Sequence, residues 1–76
     1  MLMPGHSYID IDPEIGFGKP RVAGTRIRVV DVLDMIADGT PEAEMVADFP
    51  ELSVENIRAC VRFAARFATH PVVLAA

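Results

Sequence analysis

Two groups of cations are the residues of this 76-residue chain whose types and spacing could do chemistry. Lys19, Arg21, Arg26 and Arg28 fall within ten positions without an acid among them, in a stretch punctuated by Gly18, Pro20 and Gly24. Arg58, Arg62 and Arg66 recur every four residues, the spacing that lines side chains along one helix face. Between the groups lie Asp31, Asp34, Asp38, Glu42, Glu44, Asp48, Glu51 and Glu55, with no base. Clustered cations recognise phosphates or carboxylates. The net charge of −4 argues against nucleic acid for the chain as a whole, so the distribution carries the information. Complete sign separation predicts a molecule with one acidic and one basic side.

Other chemistry finds little support. Gly16-Phe17-Gly18-Lys19-Pro20 does not open a helix, and Pro20 stands where a phosphate loop needs a hydroxyl residue. One cysteine and two histidines, His6 and His70 near opposite ends, make no zinc spacing. Cys60 sits mid-helix among apolar neighbours and reads as a packed thiol. Asp10, Asp12 and Glu14 could cluster on a metal, but alternation along an exposed strand edge explains them more simply. The expectation is a protein that is not an enzyme, with no cofactor and no metal. Without Trp, the lone Tyr8 and four Phe residues leave little surface for stacking single-stranded bases.

The chain is 51% apolar, more than a monomer of this size hides, which predicts a homodimer or a stable partner. Length allows one domain, residues 1–76. No secretory or membrane-spanning run is present and the single cysteine can form no internal disulfide, so a cytoplasmic protein is expected.

The elements that must position these residues fall into three parts: a β-ribbon and basic loop over 8–29, a helix-turn-helix bundle over 30–69, and an apolar tail, 70–76. Tyr8-Ile9-Asp10-Ile11-Asp12 alternates as a strand, with Ile27–Val29 as its expected partner. A first helix is predicted over 30–38, with Val29, Leu33, Ile36 and Ala37 facing the core and Gly39 as its stop. A second starts with Thr40 as N-cap and Pro41 in the first turn, offers Met45, Val46 and Phe49 to the core, and ends at Pro50. The third runs from the Ser53 cap to about Thr69, opened by a hydrophobic staple of Leu52 and Ile57. Along it, Ile57, Val61, Ala64 and Ala68 share one face, and Cys60, Phe63 and Phe67 a neighbouring one. That second face is covered either by a second subunit or partner, or by the N-terminal ribbon.

The second and third helices have the proportions of a helix-turn-helix, residues 41–66, which presents the first turns of its second helix to the major groove. Ser53, Asn56, Arg58 and Arg62 would then meet bases or phosphates, with Lys19, Arg21 and Arg26 on the backbone. An ordinary three-helix bundle with a solvated Arg stripe, acting as a protein-interaction module without DNA binding, fits the same residues.

Asp12-Pro13-Glu14-Ile15, Gly18-Lys19-Pro20, Gly24-Thr25-Arg26-Ile27-x-Val29, Gly39-Thr40-Pro41-Glu42 and Phe49-Pro50-Glu51-Leu52 resemble the small bacterial domain-of-unknown-function 433 family, from about Ile9 to Ala65. The resemblance implies a mainly α, three-helix, homeodomain-like helix-turn-helix with a short N-terminal β-ribbon. It also implies an antitoxin-like role in a type II toxin-antitoxin system, covering a PIN-like ribonuclease toxin and binding its own promoter as a complex. The chain departs from the family pattern at Arg28, where a small residue is usual, and at Val30, where Ser is usual. The start of the first helix therefore lacks its usual cap.

Overall fold

The computed structural model describes residues 2–3, 5–14 and 18–69. Gly16 and Phe17 of the glycine-rich turn, His70 and the rest of the apolar tail lie outside the described residues. In chain order come β1 (Leu2–Met3), β2 (His6–Asp10), β3 (Arg21–Val22), α1 (Val29–Ala37), α2 (Glu42–Asp48) and α3 (Val54–Ala68). The strands form an antiparallel sheet in the order β1-β2-β3, with Ile9 opposite Val22 and Asp10 opposite Arg21. The chain is thus mainly helical, three helices headed by a short ribbon.

The partner of β2 is Arg21–Val22 rather than Ile27–Val29. A tight turn explains the difference. Gly24 takes φ 80°, a left-handed conformation that side-chain-bearing residues avoid. The Val22 N–H donates to the Ile27 carbonyl (2.8 Å) and the Thr25 N–H to the Val22 carbonyl (3.1 Å). The Thr25 hydroxyl donates to the same Val22 carbonyl (2.9 Å) and accepts from the Ile27 N–H (3.0 Å). Residues 26–28 are therefore the returning arm of a hairpin, bridged to the sheet only at Arg21–Arg28, and Val29 already opens α1. β1, two residues long, carries no sequence pattern long enough to announce it.

Inside this hairpin lies Arg21. Its Nη2 donates to Asp10 Oδ2 (2.8 Å) and its Nη1 to the Thr25 carbonyl (3.0 Å). Both side chains of the ion pair are largely covered. One guanidinium thereby ties the middle strand to the turn that follows β3.

α1 begins at Arg28, which makes no side-chain cap; its guanidinium instead holds the Asp31 carboxylate with two 3.2 Å hydrogen bonds. The buried face is Val29 and Val32, with Leu33 and Met35 packed against it, whereas Ile36 and Ala37 are exposed. The helix reads VVDVLDMIA, so apolar residues cover most of its circumference and periodicity does not select the inner face. α2 is capped by Pro41 and not by Thr40: the Pro41 carbonyl accepts from Glu44 and Met45, and no side-chain cap forms. Met45 is fully buried, but Phe49, expected in the core, is 38% exposed because its backbone (φ −125°, ψ 86°) turns away from the helix.

α3 starts at the expected Ser53, and the staple residues Leu52 and Ile57 are both buried. Of the two coverings open for its second apolar face, the ribbon is the one found over Cys60 and Phe63, and the expected core face is split, with Ile57 buried and Val61 exposed. Ile57, Ala59, Cys60 and Phe63 point into the core, while Val61 and Ala68 are exposed. The reason is the ribbon: β2 packs on α3, and His6 meets Phe63 edge to face at 5.2 Å between ring centroids. Ile9 and Val22 from the sheet join the same core.

Arg21→Ala removes both hydrogen bonds that its guanidinium donates, to Asp10 and to the Thr25 carbonyl. It is expected to lower the melting temperature by about 5–10 °C for a domain of this size, whereas Arg26→Ala, on the exposed tip, leaves it unchanged. Thermal unfolding followed by circular dichroism decides between them, and equal melting temperatures would refute the structural role of Arg21.

Candidate interaction surfaces

The residues assigned to DNA separate into two sets. Ser53 and Asn56 form a reciprocal capping box: Ser53 Oγ accepts from the Asn56 N–H (3.1 Å), and Asn56 Oδ1 accepts from the Ser53 N–H (3.0 Å). These polar atoms satisfy the start of α3 itself. Arg21 is held inside the hairpin. Lys19, Arg26, Arg58 and Arg62 remain at the surface. Arg58 approaches Glu42 at 3.9 Å across exposed side chains, a solvated pair. The structure therefore engages three of the seven residues in the fold and leaves four exposed.

Charge near the start of α3 is acidic. Glu42, Glu44 and Asp48 of α2, and Glu51 and Glu55 beside them, are exposed. Going along α3, Arg62 and Arg66 make no ion pair or side-chain hydrogen bond among the described residues. Basic character thus sits toward the far end of the helix.

The apolar set also divides. Cys60 is fully buried and Phe63 nearly so, both covered within the chain, while Phe67 is 61% exposed and stacks edge to face on Phe63 at 5.1 Å. Beside Phe67 runs a groove of about 390 Å³ between α1 and α3, floored by Val29, Leu33, Phe63 and Ala64. Val30, 46% exposed, lines it from α1, and Lys19 and Pro20 complete the lining. Lys19 has no carboxylate partner among the described residues. Val30 and Leu33 are the residues that sequence reasoning missed. The available signal was the second apolar side of the first helix, which one core cannot use. A second groove of about 400 Å³, lined by Glu42, Arg58 and Arg62 together with Ile36, Ile57 and Val61, lies where α1, α2 and α3 meet.

Burial pushes the Cys60 thiol up to about 11, so at neutral pH it is protonated and a poor nucleophile. No group of three or more His, Cys, Asp or Glu residues that could hold a metal ion is found among the described residues. Asp10, one of the three carboxylates considered for that role, faces Arg21, and Asp12 accepts the Glu14 N–H at 2.9 Å. No helix among the described residues is long and apolar enough to cross a membrane.

This arrangement is that of a three-helix domain headed by an antiparallel ribbon, with surfaces suited to binding. The family model described as "Protein of unknown function (DUF433)" matches residues 9–64, and the chain belongs to that family. The crystal structure of a DUF433 member protein from Anabaena variabilis is similar to it, with a TM-score of 0.75 and 27% identity over 82% of this chain. The match covers 61% of that protein's chain, so this chain spans less than two thirds of its length. No curated protein matches.

Two outcomes test these assignments. Asn56→Ala, which deletes half of the capping box, is expected to cost about 1 kcal/mol in urea unfolding. Unchanged stability would return Asn56 to the free surface. Cys60 in the folded protein is expected to react with a thiol reagent at pH 8 about 100-fold more slowly than in guanidinium-unfolded protein. Equal rates would show that the core is open at Cys60.

Proposed function

We propose that this chain is a protein-docking module of the antitoxin-like kind that its family resemblance implies, taking an apolar helix of a PIN-like ribonuclease into the groove between α1 and α3. The groove itself carries the reading. Large apolar side chains at Val30 and Phe67 stand exposed in its lining, on a chain too small to leave such surface uncovered without cost. Helices dock in grooves of this kind through residues spaced three and four apart, and an exposed aromatic beside a pocket is a usual anchor. Lys19 in the lining favours a docked helix that carries an acidic residue. Homodimerisation through the same groove is the competing occupant.

Promoter binding, the other half of the implied role, is a second reading. In its favour, Arg58 and Arg62 stand exposed on the same stripe of α3. The acids around the start of α3 weigh against reading bases with that end.

Co-expression with a PIN-like ribonuclease of its own genome tests the docking reading by size-exclusion chromatography. A stable heteromeric complex is expected, lost in Val30→Asp and Phe67→Asp variants that keep the wild-type circular dichroism spectrum. A self-associating chain that ignores the nuclease, or a complex that survives both substitutions, would overturn it.

A further inference from the structure

A third concavity lies at the C-terminal, basic end of α3. Its volume is about 310 Å³, and its lining includes Gly5 and His6 from the turn into β2 and Arg62, Ala65, Arg66 and Thr69 from α3. Three of these residues can present N–H donors to an anion, and none of the six is acidic. Arg62 and Arg66 stand one helical turn apart, about 6 Å along the axis, so both guanidiniums can reach one bound oxyanion group. The His6 ring is fixed beside them by its edge-to-face contact with Phe63. The Thr69 hydroxyl is engaged with the Arg66 carbonyl at 2.7 Å, which ends the helix in place.

One ordinary explanation accounts for part of this cluster only. A cation in the last turn answers the helix dipole, which covers Arg66. Arg62 lies a turn further back, and it makes no ion pair among the described residues although the chain has eleven acidic residues against seven basic ones. An anion at this end meets roughly half a negative charge from the helix terminus, against two full positive charges from the arginines. Attraction wins.

We propose that this cleft is a phosphate site that grips the backbone of a double-stranded nucleic acid without reading its sequence. The stripe from Arg58 to Arg66 extends about 12 Å along α3, the span of two to three successive phosphates on one strand. A concave end with an arginine track leading out of it suits a continuous phosphodiester chain better than an isolated anion. This assignment stands apart from the groove between α1 and α3 and from base reading by the start of α3. It places the decisive contacts at Arg66, Arg62 and His6, with Arg58 at the margin.

The test is fluorescence anisotropy with a labelled 20-base-pair duplex of arbitrary sequence, at several salt concentrations. Wild-type protein is expected to bind with affinity falling steeply as salt rises. Arg62→Gln/Arg66→Gln together should weaken binding about tenfold or more and flatten the log–log salt slope by about 1.8. Arg66→Gln alone should cost more than Arg58→Gln. These side chains are exposed, so the variants should melt with the wild type, and melting curves check this. Absent duplex binding by the wild type, equal binding of a poly-glutamate competitor, or binding unchanged in the double variant would each overturn the site. A larger loss in Arg58→Gln than in Arg66→Gln would also overturn it, in favour of the start of α3. None of these results depends on what fills the groove.

Discussion

The fold depends on the guanidinium of Arg21. A sheet of two-residue strands around one five-residue strand has too few ladder bonds to persist unaided. Arg21 adds a charged pair to Asp10 on the middle strand and a hydrogen bond to Thr25 at the turn, so three separate pieces of backbone share one anchor. The anchored sheet brings Ile9 and Val22 onto α3, and that contact decides which way α3 faces. From there the rest follows: Cys60 and Phe63 go inward, Val61 outward, and Phe67 is left exposed in the lining of the groove.

This anchor also changes the meaning of the sequence motif around it. Gly24 supplies a backbone angle, Thr25 closes the turn through its hydroxyl, and Ile27 packs against the core. Of the four residues in Gly24-Thr25-Arg26-Ile27, only Arg26 is free at the surface as a charge. The block that identifies the family is thus largely a device for folding. The two proposed surfaces use side chains the motif does not include, such as Val30, Phe67 and Arg66.

How much was legible in the sequence follows from how local each signal is. The start of α3 was readable because its cap and staple lie within residues 52–57. The stop after α1 at Gly39 was readable for the same reason, with φ 84° supplying the left-handed turn. The inner face of α3 was not readable, because both candidate faces are apolar and only the ribbon's placement chooses between them. Arg21 looked like one of a basic series because its partner Asp10 lies eleven residues away across a strand pair. Asn56 looked free because its chemistry suits adenine as well as a helix cap, and spacing alone does not distinguish the two. The groove escaped notice because it needs the spatial meeting of Val30 with Phe67, which no periodicity within one helix predicts.

The capping box at Ser53 and Asn56 has a consequence for the order in which this chain acquires its structure. α3 has its start encoded within a handful of adjacent residues, and α2 packs on it across a short turn, so this pair needs only small loops to close. The sheet needs Asp10 to find Arg21, and then needs both to find α3, which is a longer search. Docking β2 on α3 closes the longest loop in the fold, so loop-closure entropy favours a late arrival of the ribbon on α3. A chain whose ribbon is undocked would present the Cys60 and Phe63 face of α3 to solvent.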